Sequence, residues 1–178
     1  MITLLISSVI LLAFTEILIT STETERVVSV VSSLENDAHE MLSRIAAELR
    51  QTGTTCPNWN LEADTVTFNR CIGSTTGVKD WDILSYPAGI TLGASYEESG
   101  SDDDLDNDGD GLVDERELLL GDASTGGVLT SWGRDLSDPG LTFGLNGNEL
   151  TITLSLTREH PDGYPVSATA STVVALRN

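Results

Sequence analysis

The segment from Ser101 to Glu117, SDDDLDNDGDGLVDERE, carries the residues of this chain that are best suited to chemistry. It matches the pattern D-x-[DN]-x-[DN]-G-x5-E of calcium-binding loops, which surround one Ca2+ ion with about six to eight oxygen atoms. Carboxylates packed this closely repel one another unless a hard cation neutralises them. The segment therefore predicts either a Ca2+ site or a solvated acidic loop, and we prefer the Ca2+ site.

Two registers of the pattern fit this segment. The first starts at Asp104 and ends at Glu115, but its eighth position, which is normally apolar and tethers the loop to a core, is Gly111. The second starts at Asp106 and has Val113 at the eighth position, while Gly111 supplies the sharp turn. We prefer the second register. It predicts as metal-binding residues Asp106, Asp108, Asp110, Leu112, Asp114 and Glu117.

No other part of the chain resembles a reactive centre. The sequence contains no G-x-S-x-G, no phosphate-binding P-loop and no G-x-G-x-x-G. His39 and His160 have no cysteine or second histidine at ligand spacing, so both are predicted to be ordinary surface residues. The sequence therefore does not predict an enzyme.

Cys56 and Cys71 are the two cysteines of the chain. An even pair that follows a membrane-directed segment favours an oxidising compartment and one disulfide. Such a bond would close a loop of about 15 residues and contribute roughly 3 kcal/mol. The alternative interpretation is a pair of reduced, buried thiols.

A long helix is predicted over residues 1–53. Residues 1–20 are almost wholly apolar, and apolar residues then recur at helical spacing: Val27, Val31, Leu34, Ala38, Met41, Ile45 and Leu49. Residues 1–26 therefore predict a membrane or filament-core helix, and residues 27–53 an amphipathic helix that packs on a head. Gly53 is predicted to end the helix in a left-handed conformation. A cleavable signal peptide is the weaker alternative, because no basic residue precedes Arg26.

Residues 54–178 are predicted to form a β-rich head that includes the acidic loop 104–117. Short β-rich runs replace the helical pattern there, and period-two alternation is clearest at Leu150, Ile152, Leu154 and Leu156. Asn146-Gly147 and Asp162-Gly163 are hairpin dipeptides, so the last three strands are predicted to form an antiparallel meander. The expected fold is α+β, with a C-terminal antiparallel sheet packed on the rear half of the N-terminal helix.

The overall charge excludes one class of partner. The chain has 28 acidic and nine basic residues, a formal net charge of −19. A nucleic acid would be repelled by such a surface, so no nucleic-acid partner is predicted.

The apolar helix, its ending IAAELRQTG, the two-cysteine region and the terminal strand that ends VALRN together resemble the type IV pilin and pseudopilin superfamily. The likeness is closest to the W-type minor pilins and to the J-type pseudopilins of type II secretion, whose helices end in a series similar to residues 47–53. Their heads often carry an acidic loop like Gly111 to Glu115. The resemblance implies a subunit that is held in the inner membrane and then packs helix to helix into an extracellular filament.

Two residues depart from the family pattern. Mature members usually begin with a methylated aromatic residue and have a glutamate at the fifth position, whereas this chain has Met1 and Leu5. The pairing role of that glutamate therefore does not transfer to Leu5, and Glu16 lies too far along the helix to inherit it by position.

The expected function is that of a structural subunit of a type IV pilus-like filament at the cell surface. Its expected partners are copies of itself or related pilins, which it contacts through the N-terminal helix, and the inner membrane before assembly. The expected bound ion is Ca2+. Two alternatives remain open: a minor pseudopilin of a type II secretion system, and a membrane-anchored, calcium-dependent adhesin.

Overall fold

The N-terminal part of the chain forms one helix, α1 (Ile2–Leu49), of 48 residues and therefore about 72 Å. The computed structural model describes residues 2–53, 55–75, 78–96, 116–160 and 163–176, and it leaves out the side chains of residues 2–9 and 96. After Leu49 the chain tightens into a turn, in which the Thr52 amide and hydroxyl both donate to the Leu49 carbonyl, at 3.1 and 2.8 Å. A buried threonine thus satisfies a carbonyl at the helix end.

The rear half of α1 is amphipathic, as its sequence predicts. Val27 and Val31 are half-buried, and the stripe is then fully covered by the head. The covered side chains are Leu34, Ala38, Met41, Leu42, Ile45, Ala46 and Leu49. Their spacing of three and four residues places them on one face, and the burial of this face is what holds the helix to the sheet.

Within the described residues, nine strands follow the helix. They are β1 (Asn60–Leu61), β2 (Thr65–Phe68), β3 (Cys71–Thr75), β4 (Val78–Trp81), β5 (Ile90–Tyr96), β6 (Arg116–Asp122), β7 (Val128–Asn146), β8 (Glu149–Glu159) and β9 (Pro165–Ala175). Seven of them form one antiparallel sheet in the order β1-β2-β5-β6-β7-β8-β9, while β3 and β4 form a separate pair. The predicted α+β fold is confirmed.

The helix packs chiefly against β9 and β8, and also contacts β7. On β8, the four alternating residues Leu150, Ile152, Leu154 and Leu156 are all fully buried. Strands β7, β8 and β9 are joined in sequence by antiparallel pairing, so the predicted meander is confirmed. At the first hairpin, Asn146 pairs with Glu149, and Gly147 has a φ of 61°. In a type II′ turn, the first residue of the two-residue loop has a positive φ, which favours glycine at that position.

The strand pattern differs from the sequence prediction in two respects. The sequence has two separate β-rich runs, GGVLTSW near Val128 and LTFGL from Leu141, but the structure joins them in one strand, β7, whose pairing with β8 shifts register between Leu136 and Leu141. Leu136 pairs with Leu156 and Leu141 pairs with Leu154, so β7 advances five residues where β8 advances two. The extra residues of β7 form a bulge-like irregularity within one strand. The structure also contains β1, β3, β4 and β6, which the sequence did not predict, because β1 has two residues and acidic or glycine residues interrupt or border the other three.

Among the residues that the structure describes, no helix combines the length and the apolar character needed to cross a bilayer.

Candidate functional site

The front of α1 is an apolar surface that the head does not cover. Every residue from 10 to 26 is exposed. The large apolar side chains of this part of the helix keep between 53 and 72% of their surface open to solvent: Ile10, Leu11, Leu12, Phe14, Ile17, Leu18 and Ile19. A helix that is apolar on all sides is stable when other apolar groups surround it. This front segment, residues 10–26, is therefore the candidate functional surface.

The threonine hydroxyls of the front segment are turned back onto the helix. Thr15 donates to the Leu11 carbonyl at 2.8 Å, Thr20 to the Glu16 carbonyl at 2.9 Å, and Thr24 to the Thr20 carbonyl at 2.8 Å. A hydroxyl satisfied in this way can be buried at lower cost than one that loses its water partner. The threonines thus allow the segment to be covered along its length.

Two charged groups lie ten residues apart on this segment. Glu16 is exposed between apolar neighbours, and Arg26 is exposed where the segment ends. Neither forms a salt bridge with another residue that the structure describes. Both charges are therefore available to a partner.

Arg158 on β8 ties the helix to the head. Its guanidinium contacts Asp135 on β7, with Nε donating to Oδ2 at 2.8 Å, and it donates to Asp37 on α1 at 3.3 Å. Burial alone would lower the pKa of Arg158, but the hydrogen bonds and charges of Asp135, and then of Asp37, raise its pKa overall. Asp135 has a φ of 63°, which directs the chain through the irregular part of β7.

A second ion pair fixes the end of the helix. Arg70 donates from Nε to Glu48 Oε2 at 2.9 Å and from Nη2 to Oε1 at 2.8 Å. This bidentate geometry orients both groups. Together, the buried stripe and the two arginine contacts give the helix a fixed direction relative to the sheet, so that the front segment projects from the head.

The predicted metal loop lies mostly outside the described residues. This applies to Asp106, Asp108, Asp110, Leu112 and Asp114. Glu117 is described and lies in β6, where it pairs with Ser95, and its Oε2 accepts a hydrogen bond from the Ser131 hydroxyl at 2.9 Å. Within the described part of the chain, no three His, Cys, Asp or Glu side chains form a group that could hold a metal ion. The Ca2+ site remains a prediction.

An arginine lies at the base of the acidic loop. Tyr96 and Arg116 are paired at the ends of β5 and β6, so residues 97–115 connect two neighbouring strands. The Arg116 side chain is 14% exposed and contacts Asp64 at 3.3 Å and Asp138 at 3.2 Å. These contacts connect the base of the loop to the start of β2 and to β7.

Both cysteines are free in the structure, which therefore does not contain the predicted disulfide. Cys56 is buried, and this burial raises the pKa of its thiol. Cys71 is half-buried, and its Sγ donates to the Gly73 carbonyl at 3.1 Å.

The histidine predictions have different outcomes. His39 is exposed on α1, as predicted. His160 was expected at the surface, but it is 1% exposed and stacks on Tyr164, with ring centroids 4.6 Å apart. The hairpin between β8 and β9 places the two rings together, because the His160 amide donates to the Tyr164 carbonyl at 2.9 Å.

No family model, no curated protein and no solved structure matches this chain. The long N-terminal helix followed by an antiparallel sheet is compatible with the layout of pilins, which is a statement about architecture alone.

Proposed function

We propose that this chain is a structural subunit of a type IV pilus-like extracellular filament and that it polymerises through the front segment of α1. One observation carries the proposal: the same helix is covered by the head from Leu34 to Leu49 and is uncovered, with large apolar side chains, from Ile10 to Ile19. Removing that surface from water favours association, at about 25 cal/mol for each square ångström buried.

In this proposal, the apolar residues of the helix are buried in two different environments, one after the other. They contact the lipids of the inner membrane before assembly and the helices of neighbouring copies afterwards. The membrane step rests on the apolar sequence of residues 1–20. The head, with its acidic surface and its predicted Ca2+ loop, then faces outward from the filament.

Charge supports this outward position of the head. The front segment, residues 10–26, contains three acidic residues and one arginine, whereas the whole chain carries a net charge of −19. Most of the mutual repulsion between copies therefore arises from their heads. Repulsion falls with distance and is screened by salt, so a polymer with its helices at the centre and its heads apart is favoured.

A single substitution tests the proposal. The full-length chain is purified in detergent, the detergent is removed, and polymers are measured by sedimentation and by electron microscopy. We expect Ile17→Glu to reduce the sedimenting fraction at least about tenfold, because it places a charge on a surface that assembly would bury. The melting temperature of the head should not change, since Ile17 is 65% exposed and lies outside the head.

The matched control is Leu84→Glu, which introduces the same charge at a fully exposed leucine of the head. This variant should polymerise as the unmodified chain does. Polymers that form equally well with Ile17→Glu, or an unmodified chain that remains monomeric without detergent, would contradict the proposal.

A further inference from the structure

We infer that Glu16 of one copy pairs with Arg26 of a neighbouring copy, and that this pair sets the axial offset between adjacent helices in the polymer. The inference deepens the proposed function and rests on it. Its starting point is that the front segment, residues 10–26, has one carboxylate inside its apolar part and one arginine at its end. Neither has an ion-pair partner among the described residues.

Assembly would remove Glu16 from water. Its neighbours one helical turn away on the same face include Leu12 and Ile19, which are 64 and 53% exposed and would be covered together with it. An ionised carboxylate in an apolar environment is retained where an opposite charge reaches it. Glu16 therefore requires a cation in the assembled state.

Arg26 is the cation that is best placed to supply this charge. It is the sole lysine or arginine among the first 43 residues. Arg44 on α1 and three arginines of the head, Arg70, Arg116 and Arg158, already contact carboxylates of their own chain. Arg26 is also exposed on the helix that carries Glu16, so parallel helices can bring the two residues together.

The two groups cannot meet within one copy. Ten residues of helix separate them by about 15 Å along the axis, whereas side chains that meet on a helix surface are about 5–6 Å apart. If a neighbouring helix is displaced by about 15 Å toward its N-terminus, its Arg26 comes to the height of Glu16. The pair therefore predicts an offset near ten residues between adjacent parallel helices.

The angular positions of Glu16 and Arg26 around the helix allow the same contact to repeat from copy to copy. At about 100° per residue, ten residues place Glu16 and Arg26 about 80° apart around the helix. Each copy thus presents the carboxylate to one neighbour and the guanidinium to another. A contact between two different surfaces of the same chain does not close on itself in a pair and generates an extended polymer.

Charge exchange tests the pair in the full-length chain. Polymers are measured by sedimentation after detergent removal for Glu16→Arg, for Arg26→Glu and for the double variant. We expect the amount of sedimenting polymer to fall at least about tenfold in each single variant, since like charges then meet. In the double variant, we expect this amount to return to within about twofold of that of the unmodified chain. Glu35→Arg is the matched control, and it should polymerise normally because Glu35 is exposed on the same helix but lies outside the front segment.

A second measurement does not depend on the extent of assembly. The Arg26→Lys chain keeps the charge and gains an amine, which a carbodiimide joins directly to a carboxylate in contact with it. We expect dimers and higher ladders in a denaturing gel, with a cross-linked peptide that joins positions 16 and 26. Glu16→Gln in the same background should remove them.

The outcomes separate the two claims. If the unmodified chain forms no polymer, the proposed function fails and this inference fails with it. If the unmodified chain polymerises, but the double variant is not restored and no link between positions 16 and 26 forms, the inference alone is overturned.

Discussion

The two cysteines differ in their surroundings, and this difference is measurable. Burial raises the pKa of Cys56, so the folded chain holds this thiol proton more tightly than the unfolded chain does. The resulting contribution to stability is present in full below the ordinary thiol pKa and is lost as the pH rises through the raised value. Cys71 is half-buried, and its thiol contacts the Gly73 carbonyl.

In the reduced chain at mildly alkaline pH, we expect iodoacetamide to modify Cys56 at least about tenfold more slowly than Cys71, because less thiolate forms and access is restricted. Mass spectrometry of the digested protein measures both rates, and they should become equal in denaturant. Equal rates in the folded chain would contradict the structure.

The same reagent tests the predicted disulfide. Protein isolated from an oxidising compartment, and never exposed to reductant, should take up no label at either cysteine if that prediction is right. Labelling at Cys71 without prior reduction would refute the disulfide.

At the scale of elements, the contact between α1 and the sheet depends on one glycine. A Cβ atom added to Gly133 on β7 would lie 1.9 Å from Cε of Met41 and 2.6 Å from its Sδ. The sheet thus approaches the helix so closely that a methyl group displaces a buried side chain. Because the end of a methionine is flexible, the displacement has a cost without preventing folding.

We expect Gly133→Ala to lower the free energy of unfolding by about 1–3 kcal/mol, as is typical of overpacking. Urea denaturation of the full-length chain in detergent measures the loss. Gly144→Ala is the matched control, because Gly144 lies in the same strand and a Cβ there meets nothing within 4 Å. The cost should also shrink when Met41→Ala is present, since the two sites are coupled. A cost that is independent of position 41 would contradict this explanation.

The sequence predicts elements well where one pattern persists. The helical stripe from Val27 to Leu49 and the alternation along β8 both place apolar residues on the observed buried faces. Patterns of this kind record which side of an element meets the core.

Elements without a clean pattern were missed for physical reasons. β6 begins at Arg116, immediately after the acidic run, so no clean strand pattern marks its start; Glu117, a predicted Ca2+ ligand, lies in this strand. The continuity of β7 through Asp135 and Pro139 depends on pairing with β8 and on Arg158, which local propensity does not report. The roles of Arg158 and Arg70 were also missed, because their partners Asp37, Asp135 and Glu48 are distant in the sequence.

At the scale of the whole molecule, the proposal divides the chain into an assembling helix and an acidic head. The run of carboxylates between Asp102 and Asp110 adds to the repulsion within the head, and Ca2+ would relieve this repulsion. The predicted Ca2+ ligands rest on the sequence alone, because most of them lie outside the described residues.

Removing two of these ligands tests the Ca2+ prediction. The unmodified head should melt at a higher temperature in Ca2+ than in chelator, with a stabilisation of about 2.7 kcal/mol at a hundredfold excess over the dissociation constant. We expect the chain with Asp108→Ala and Asp110→Ala to melt in Ca2+ at the temperature it shows in chelator. A double variant that removes two other carboxylates, Glu149→Ala with Glu159→Ala, controls for the change in charge. A difference between the two conditions that survives at positions 108 and 110 would refute the site.

In the proposed function, the front segment of α1 forms the core of a polymer. Helical reconstruction from electron cryomicroscopy of polymers of the full-length chain tests it most directly. We expect residues 10–26 of neighbouring copies to pack against one another along the filament axis, while the β-sheet heads form the outer surface. A polymer held together by its heads, with the residues from Ile10 to Ile19 facing solvent, would refute the proposed function.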